Sequence, residues 1–318
     1  MKRLIPKQLI PITLWNEQDS VMYLPQRLIA SWETLLDSYD LREKAVTIAP
    51  KGFAGGRGEE DTKNHFAWRF TGSCARVILT MLDFNEDLGE ISDAFAQAFS
   101  GNKVFLADLP CGSGAATVSI LSILAELRRQ NLVPRMPLEI TIVGGELSQH
   151  AINIAKEMVG SLIEELEAQA ITIEFEALEW DVCDRISNTD LIKQITLKAQ
   201  NCAAKLLILA NFSDFLEKES KWQDAKEQFD ELFRYSRDKN SIALWIEPRK
   251  NNVVKGFIPR VRKWFEKVFD FISPPASEID KAHAESSVKV KHPLKETTFR
   301  NNLAVMRFDL PKGTKNLQ

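Results

Sequence analysis

The chain has 318 residues, 44% of them hydrophobic and 27% charged, with a formal net charge of −3. That is the make-up of a protein that buries a full core without disulfide or metal staples. No apolar run approaches the roughly 20 residues of a membrane helix, and a sequence pI near 6.0 argues against a strong, nonspecific nucleic-acid binder. The opening "MKRLIPKQLIPITLWNEQDS" has a basic tip but a short apolar stretch broken by Pro6 and Pro11, so it is not read as a signal peptide. Cys74, Cys111, Cys183 and Cys202 are far apart and form no CxxC pair, which points to reduced thiols in a cytoplasmic protein. His150, His283 and His292 show no metal spacing, and no metal is expected.

The first hundred residues have helical rather than strand character. "SWETLLDSYDL" reads as a helix after Ser31, and "FAGGRGEEDTKN" as a mobile, charged break. "NHFAWRFTGSCARVILTMLDF" then predicts a helix with Phe66, Phe70, Val77 and Met81 on one stripe and His65, Arg69, Gly72 and Arg76 on the next. "LGEISDAFAQAFSG" predicts a shorter helix closed by Gly101.

After Gly101 strands alternate with helices. "KVFLAD", "LEITIVGGE", "ITIEFEAL", "AKLLILAN" and "SIALWIEP" are the strands. "AATVSILSILAELRRQ", "SQHAINIAKEMVGSLIEELEAQ", "DLIKQITLKAQN", "KWQDAKEQFDELFRYSRD" and "IPRVRKWFEKVF" are the helices, and the strand-like runs "SSVKVKH" and "LAVMRFDL" follow. Five βα alternations and a terminal strand pair argue a parallel, doubly wound α/β sheet with helices on both faces. "SPPA" at 273 to 276 reads as a loop and "PKGTKNLQ" as a frayed tail. The expected division is a mostly helical lid or extension over 1–101 and a ligand-binding domain over 102–318.

"FLADLPCGSGAATVSIL" carries the chemistry. Gly112 and Gly114 let the backbone turn tightly and let a ligand approach where a Cβ would block it. The helix that follows aims its first N–H groups at the same place, which suits a carboxylate or phosphate. Asp108, at the strand end, can accept from an ammonium or hydroxyl. A dinucleotide site would want G-x-G-x-x-G, but Thr117 stands at the third position, and the Walker pattern is absent. Glu146 ends the second strand, where an acid binds ribose hydroxyls. Asp181, in "EWDVCD", can accept from an adenine amine, with Trp180 or Val182 against the ring. Acids at three successive strand ends describe a site for an adenosine bearing an amino-acid tail.

The ordered set "ADLPCGSGAAT", "VGGELSQHAINIAKE", "EWDVCD", "LILANFSDFL" and "ALWIEP" resembles the class I S-adenosylmethionine-dependent methyltransferases over roughly residues 103 to 310. The resemblance implies a Rossmann-like, seven-stranded doubly wound sheet and S-adenosyl-L-methionine as cofactor, with S-adenosyl-L-homocysteine as product. Asp108, Gly112 and Gly114, with Pro110 and Cys111 in the same turn, would hold the methionine end. Glu146 and Leu147 would hold the ribose, and Asp181 and Val182 the adenine. Asn211 would face the reacting methyl group. Pro110 stands where many members have the first Gly of the turn.

The acceptor is less marked. Residue 211 opens "NFSD" rather than the [DN]-P-P-[YFW] of many base-amino methylating enzymes, and no Cys pair follows the fourth or fifth strand. Residues 248 to 300 hold 12 Lys/Arg and 6 Asp/Glu, a basic segment that could touch RNA. "HFAWRFTGSCARVILTML", "NFSDFL" and "WIEPRKN" resemble the methyltransferase-like proteins of the mitochondrial ribosomal small subunit and their bacterial relatives, which implies RNA or ribosome association. That group's cysteine cluster is absent, and Arg249 replaces its Gly. Asp214 is a candidate proton acceptor or a helix cap. His65, Arg69 and Arg76 are candidates to close over cofactor or acceptor, or to form an ordinary helix flank. Glu247 and Arg249 are candidates for the acceptor entrance or a surface pair. The expected activity is methyl transfer with a lean to RNA. The alternatives are a small-molecule methyltransferase, a non-catalytic cofactor-binding assembly partner and a nicotinamide-dependent oxidoreductase.

Overall fold

Apolar runs bounded by turns set the sheet. In the computed structural model, which describes residues 3–50, 56, 58–218, 220–250, 252–268 and 283–311, nine strands form one sheet. In chain order the elements are β1 (Trp15–Asn16), β2 (Val21–Met22), α1 (Gln26–Ser38), α2 (Arg42–Ala45), α3 (Glu59–Leu82), α4 (Asp93–Ala98), β3 (Lys103–Asp108), α5 (Ala115–Arg129), β4 (Leu138–Glu146), α6 (Gln149–Gly160), α7 (Ile163–Ala168) and β5 (Ile171–Glu179). There follow α8 (Arg185–Lys198), β6 (Ala204–Ala210), α9 (Ser213–Lys218), α10 (Trp222–Tyr235), β7 (Ser241–Pro248), α11 (Ile258–Val268), β8 (His283–Lys291) and β9 (Thr298–Asp309).

The strand order is β1-β2-β8-β9-β7-β6-β3-β4-β5. β5, β4, β3, β6 and β7 are mutually parallel, and β9 runs antiparallel between β7 and β8. The chain winds outward from β3 through β4 to β5, then returns to lay β6 on the other side of β3. That reversal leaves a crevice beyond the carboxyl ends of β3 and β6, where doubly wound sheets bind ligands.

Alternation sorts the strands' side chains into two cores. Val104, Leu106, Leu206, Ile208 and Leu244 join one cluster with α3 and α5, while Phe105, Ala107, Leu207, Leu209 and Trp245 join the other. The second is rich in rings: Trp222, Phe229, Trp245, Phe257 and Trp264 pack with centroids 5.1–6.4 Å apart. The first runs without a break from Ile5, Trp32 and Phe66 to Ile140 and Val305, so residue 101 does not separate two cores.

The sheet corrects the expected seven strands to nine. The added pair is β1–β2, in a stretch read as lacking strands. Two-residue strands carry no periodicity, and β2 is fixed by its parallel pairing with β8 rather than by local sequence. Other boundaries shift as well. α1 begins after Pro25, leaving Ser31 buried inside it. α3 begins at Glu59, with Glu59, Glu60 and Asp61 in its first turn and Lys63 bridging Glu59, so half of the expected charged break is helix. The long helix expected after Ser148 splits into α6 and α7. The expected "SPPA" loop, residues 312–318 of the tail and residues 53–55 and 57 of the Gly-rich break lie outside the described residues.

α3 is about 36 Å long at 24 residues and crosses the carboxyl edge of the sheet. Its Thr62 Oγ1 lies 3.0 Å from Ser148 Oγ beyond β4, and the Cys74 thiol donates to Ala115 O at the start of α5. Arg76 reaches Asn211 beyond β6, and Asn85, past the helix end, donates to Ser287 O in β8. The stripe Phe66, Phe70, Val77 and Met81 is buried, as its spacing requires.

Gly145 sits where strand, turn and core meet: a Cβ there would lie 2.8 Å from Leu109 Cδ2 and 3.1 Å from Trp180. Gly145→Ala should therefore lower stability by about 1–3 kcal/mol in urea unfolding. Gly160→Ala, where a Cβ meets nothing within 4 Å, should be neutral or mildly stabilising.

Candidate functional site

β3 delivers Asp108 to the crevice with its carboxyl group 1% exposed. Oδ2 accepts from Thr117 N at 3.1 Å and Thr117 Oγ1 at 2.8 Å, so the residue in the third-glycine position anchors the acid. Oδ1 is buried and has no hydrogen-bond partner among the described residues. Burial, opposed by the two Thr117 bonds and helped by the nearby Glu146 charge, pushes the carboxyl up to about 7. A cation or an added donor at Oδ1 would relieve that cost.

The turn after Asp108 places Gly112 and Gly114 at φ +52° and +84°, in the left-handed region. At Gly114 a Cβ would also meet Ala155 of α6 at 3.3 Å. Gly112 N donates to Glu146 Oε2 and Ser148 N to Oε1, both at 3.0 Å. Burial raises the Glu146 pKa against those bonds. The Leu147 N–H also acts on this carboxylate, and its two oxygens, with about four acceptor sites between them, retain capacity for a ribose hydroxyl. Ser148 caps α6 by accepting from Ala151 N. Pro110 and Leu147 are half-buried beside the turn. Cys111 is buried, and its Sγ lies where a Cβ on Gly144 would come within 3.0 Å. Burial raises its thiol well above the ordinary value, which leaves an unreactive, space-filling thiol.

Beyond β5, Asp181 Oδ1 accepts from Cys183 N at 2.9 Å, and Ser187 Oγ accepts from Asp181 N at 2.9 Å. Val182 and Trp180 are buried in the aromatic core, so the half-exposed Asp181 is the member of "WDV" that opens to the crevice.

Beyond β6, Asn211 adopts φ +60° and its N donates to Ile246 O at 2.9 Å. Asn tolerates this backbone. Its Oδ1 accepts from Arg76 Nε at 2.8 Å. Asp214 opens α9 and pairs with Lys250 at 2.5 Å. His65 is half-buried, and burial with the Arg69 and Arg76 charges pulls its imidazole down to about 4. It is neutral at pH 7, so only the two arginines give their stripe a charge.

Glu247 corrects both readings made of it. It is 1% exposed, neither an entrance residue nor a surface pair. Oε1 accepts from Phe212 N at 2.9 Å, Ser213 N at 2.9 Å and Trp245 Nε1 at 2.8 Å, and Oε2 from Ser213 Oγ at 2.8 Å. It holds the start of α9 from below. Arg249 pairs with Glu285 instead. In the basic segment Arg249, Arg262 and Lys291 pair with the segment's own Glu285, Glu266 and Glu296, while Lys250 and Arg260 pair with Asp214 and Glu217 outside it.

The sequence did not assign Thr117, Thr62 or Ser213. The capping signal of Ser148 was legible; Thr62 and Ser213 have partners 86 and 34 residues away, and Thr117, nine residues from Asp108, was read only as a departure from the third glycine. Two cavities of about 360 and 480 Å³, sharing Gln26, Glu126 and Arg129, open at the far end of α5 and take no part in the crevice. Among the described residues no helix is long and apolar enough to cross a membrane, and no cluster of three or more His, Cys, Asp or Glu could hold a metal.

No family model matches the chain, and no curated protein does. Solved structures do. A precorrin-6y C5,15-methyltransferase from Geobacter metallireducens matches at 9% identity and TM-score 0.31, covering 68% of this chain and 85% of that one. TehB from Haemophilus influenzae matches at 8% and 0.30, covering 73% and 66%. A structure concerned with converting a disulfide bond into a thioacetal group during echinomycin biosynthesis matches at 14% and 0.34, covering 67% and 77%. The strand order, the terminal antiparallel pair and the glycine turn after β3 make the doubly wound α/β arrangement that the sequence resemblance implies; likenesses at these TM-scores carry no argument.

Two outcomes check the site. Asp108 has its pKa raised on folding, so its share of stability is full below the unfolded value of about 3.9 and is lost as pH rises through about 7. Asp108→Asn should therefore gain on the unaltered chain by up to about 4 kcal/mol between pH 4 and pH 8 in denaturant titrations, at about 1.4 kcal/mol per unit. Glu247→Ala should cost about 3 kcal/mol or more by orphaning three N–H groups. Glu247→Gln, which keeps the accepting oxygen and lets Ser213 Oγ accept, should stay within about 1 kcal/mol of the parent.

Proposed function

We propose that this chain is an S-adenosylmethionine-dependent methyltransferase. The observation that carries the reading is the buried, unpartnered Oδ1 of Asp108 at a bare glycine turn, with Glu146 tied to the same turn by the Gly112 N–H. An ammonium group is the partner that this carboxylate lacks, and a ribose hydroxyl fits the remaining acceptor capacity of Glu146. When bound, S-adenosylmethionine supplies an electrophilic methyl group on a sulfonium, so the protein's part is alignment and exclusion of water.

In this reading Asp108 and the turn from Pro110 through Cys111 and Gly112 to Gly114 hold the amino-acid end. Glu146 and Leu147 take the ribose, and Asp181 takes the adenine amine. Asn211 faces the acceptor, its side chain fixed by Arg76 and its backbone by Ile246. α3 walls the crevice from one side. Asp214, already paired with Lys250, serves the start of α9 rather than a proton transfer. The basic segment alone does not favour RNA, because acids outside it pair with Lys250 and Arg260.

Calorimetric titration tests the reading. S-adenosylmethionine and S-adenosylhomocysteine should bind with micromolar Kd, at least tenfold more weakly to Asp108→Asn and Glu146→Gln, while NAD gives no heat. Binding of NAD instead would move the chain to the oxidoreductases. Silence from the two methionine-derived ligands, with the fold intact, would sink the proposal.

A further inference from the structure

We propose that Arg76 forms an anion subsite beside the methyl-transfer position, so that the acceptor carries a carboxylate or phosphate group. The inference rests on the methyltransferase reading and names its acceptor chemistry.

Arg76 projects from the middle of α3 into the crevice beyond β6 and β9. Its Nε donates to Asn211 Oδ1 at 2.8 Å, one terminal nitrogen to Asn301 Oδ1 at 3.2 Å and the other to Ser73 Oγ at 3.3 Å. All three acceptors are neutral. Among the described residues no carboxylate comes within ion-pairing distance of Arg76, whereas the nearest acids are already engaged: Glu247 by its four donors and Asp214 by Lys250. A guanidinium has five N–H groups. Three are used, which leaves one on each terminal nitrogen to donate to a carboxylate or phosphate.

The cation is also held in place. Asn301 is buried in β9, and its Nδ2 donates to Gly72 O at 2.8 Å, so the amide that receives Arg76 is itself anchored to α3. Arg69 lies two turns back on the same helix face, about 10 Å away along the axis, and is exposed. It adds a second positive charge on the approach. A half-buried cation fixed by three neutral acceptors, with no carboxylate in contact and the Glu247 and Asp214 charges acting on it only from a distance, retains donors that a ligand anion can take up.

The occupant is assigned to the acceptor rather than the cofactor from position. The turn at Gly112–Gly114 and Asp108 stand at the end of β3 and face β4 through Glu146. Arg76 sits on the other flank of the switch point, bonded to the residue that follows β6.

The test uses inorganic phosphate as probe on the full chain saturated with S-adenosylhomocysteine, followed by the NMR signals of the Asn211 and Asn301 amides, which parent and variants share. Phosphate should saturate with a millimolar Kd, weaken at least tenfold in Arg76→Gln and three- to fivefold in Arg76→Lys, which keeps the charge but loses the guanidinium. S-adenosylhomocysteine and 5′-methylthioadenosine, which lacks the carboxylate, should each bind both variants within threefold of the parent. Equal phosphate binding in parent and variants would overturn the proposal. So would loss of S-adenosylhomocysteine binding with 5′-methylthioadenosine binding retained, since Arg76 would then hold the cofactor's own carboxylate. If Arg76→Gln fails to fold, the Lys variant decides. Phosphate binding through Arg76 in a chain that binds no S-adenosylhomocysteine would keep the anion subsite and discard the cofactor reading.

Discussion

The hydrogen bond from Gly112 N to Glu146 ties the turn after β3 to the end of β4, and the rest of the crevice is arranged around it. It requires a backbone in the left-handed region at Gly112, an acid at the end of the neighbouring strand and strands in register, so that Asp108 lies opposite Gly144. The small residues Gly144 and Gly145 then let Cys111, Leu109 and Trp180 close over the turn from outside. One bond therefore couples strand pairing, turn geometry and the position of a buried and a half-buried carboxylate. Those carboxylates sit in a low-dielectric place at a cost to the fold, the usual mark of a site organised for a ligand rather than for stability alone.

What was legible in the sequence was local. β3, β4 and β7 have the residues that their apolar runs between Gly, Pro and charged turns had marked, and α5 follows its apolar periodicity almost to the residue. Asp108, Gly112, Gly114 and Glu146 were legible for the same reason: strand end, turn and helix start are contiguous in the chain. The illegible parts depend on distant partners. β2 exists because β8 is there to pair with it. Glu247 was an acid beside a strand end, and only the fold shows that it faces inward to four donors supplied by Phe212, Ser213 and Trp245. Arg76 and Asn211 are 135 residues apart, and no spacing rule links them.

The N-terminal hundred residues matter in a different way from a cover placed over a finished domain. α3 contributes buried aromatic side chains to the same core as the strands, and its polar flank reaches from Ser148 to Asn211. One helix therefore borders both ends of the crevice. Thr62 touches the cap of α6 next to Glu146, and Arg76 touches Asn211, with about 21 Å of continuous helix between them.

β1 and β2 have a consequence at the margin of the sheet. Without them β8 would present nine residues of unpaired backbone. With them Lys289 and Val290 are covered, and the strand beyond them is the two-residue β2. The opposite margin, β5, is longer but carries Glu174, Glu176 and Glu179, with Lys198 engaging the first two. Partial cover on one rim and charge on the other both work against strand addition.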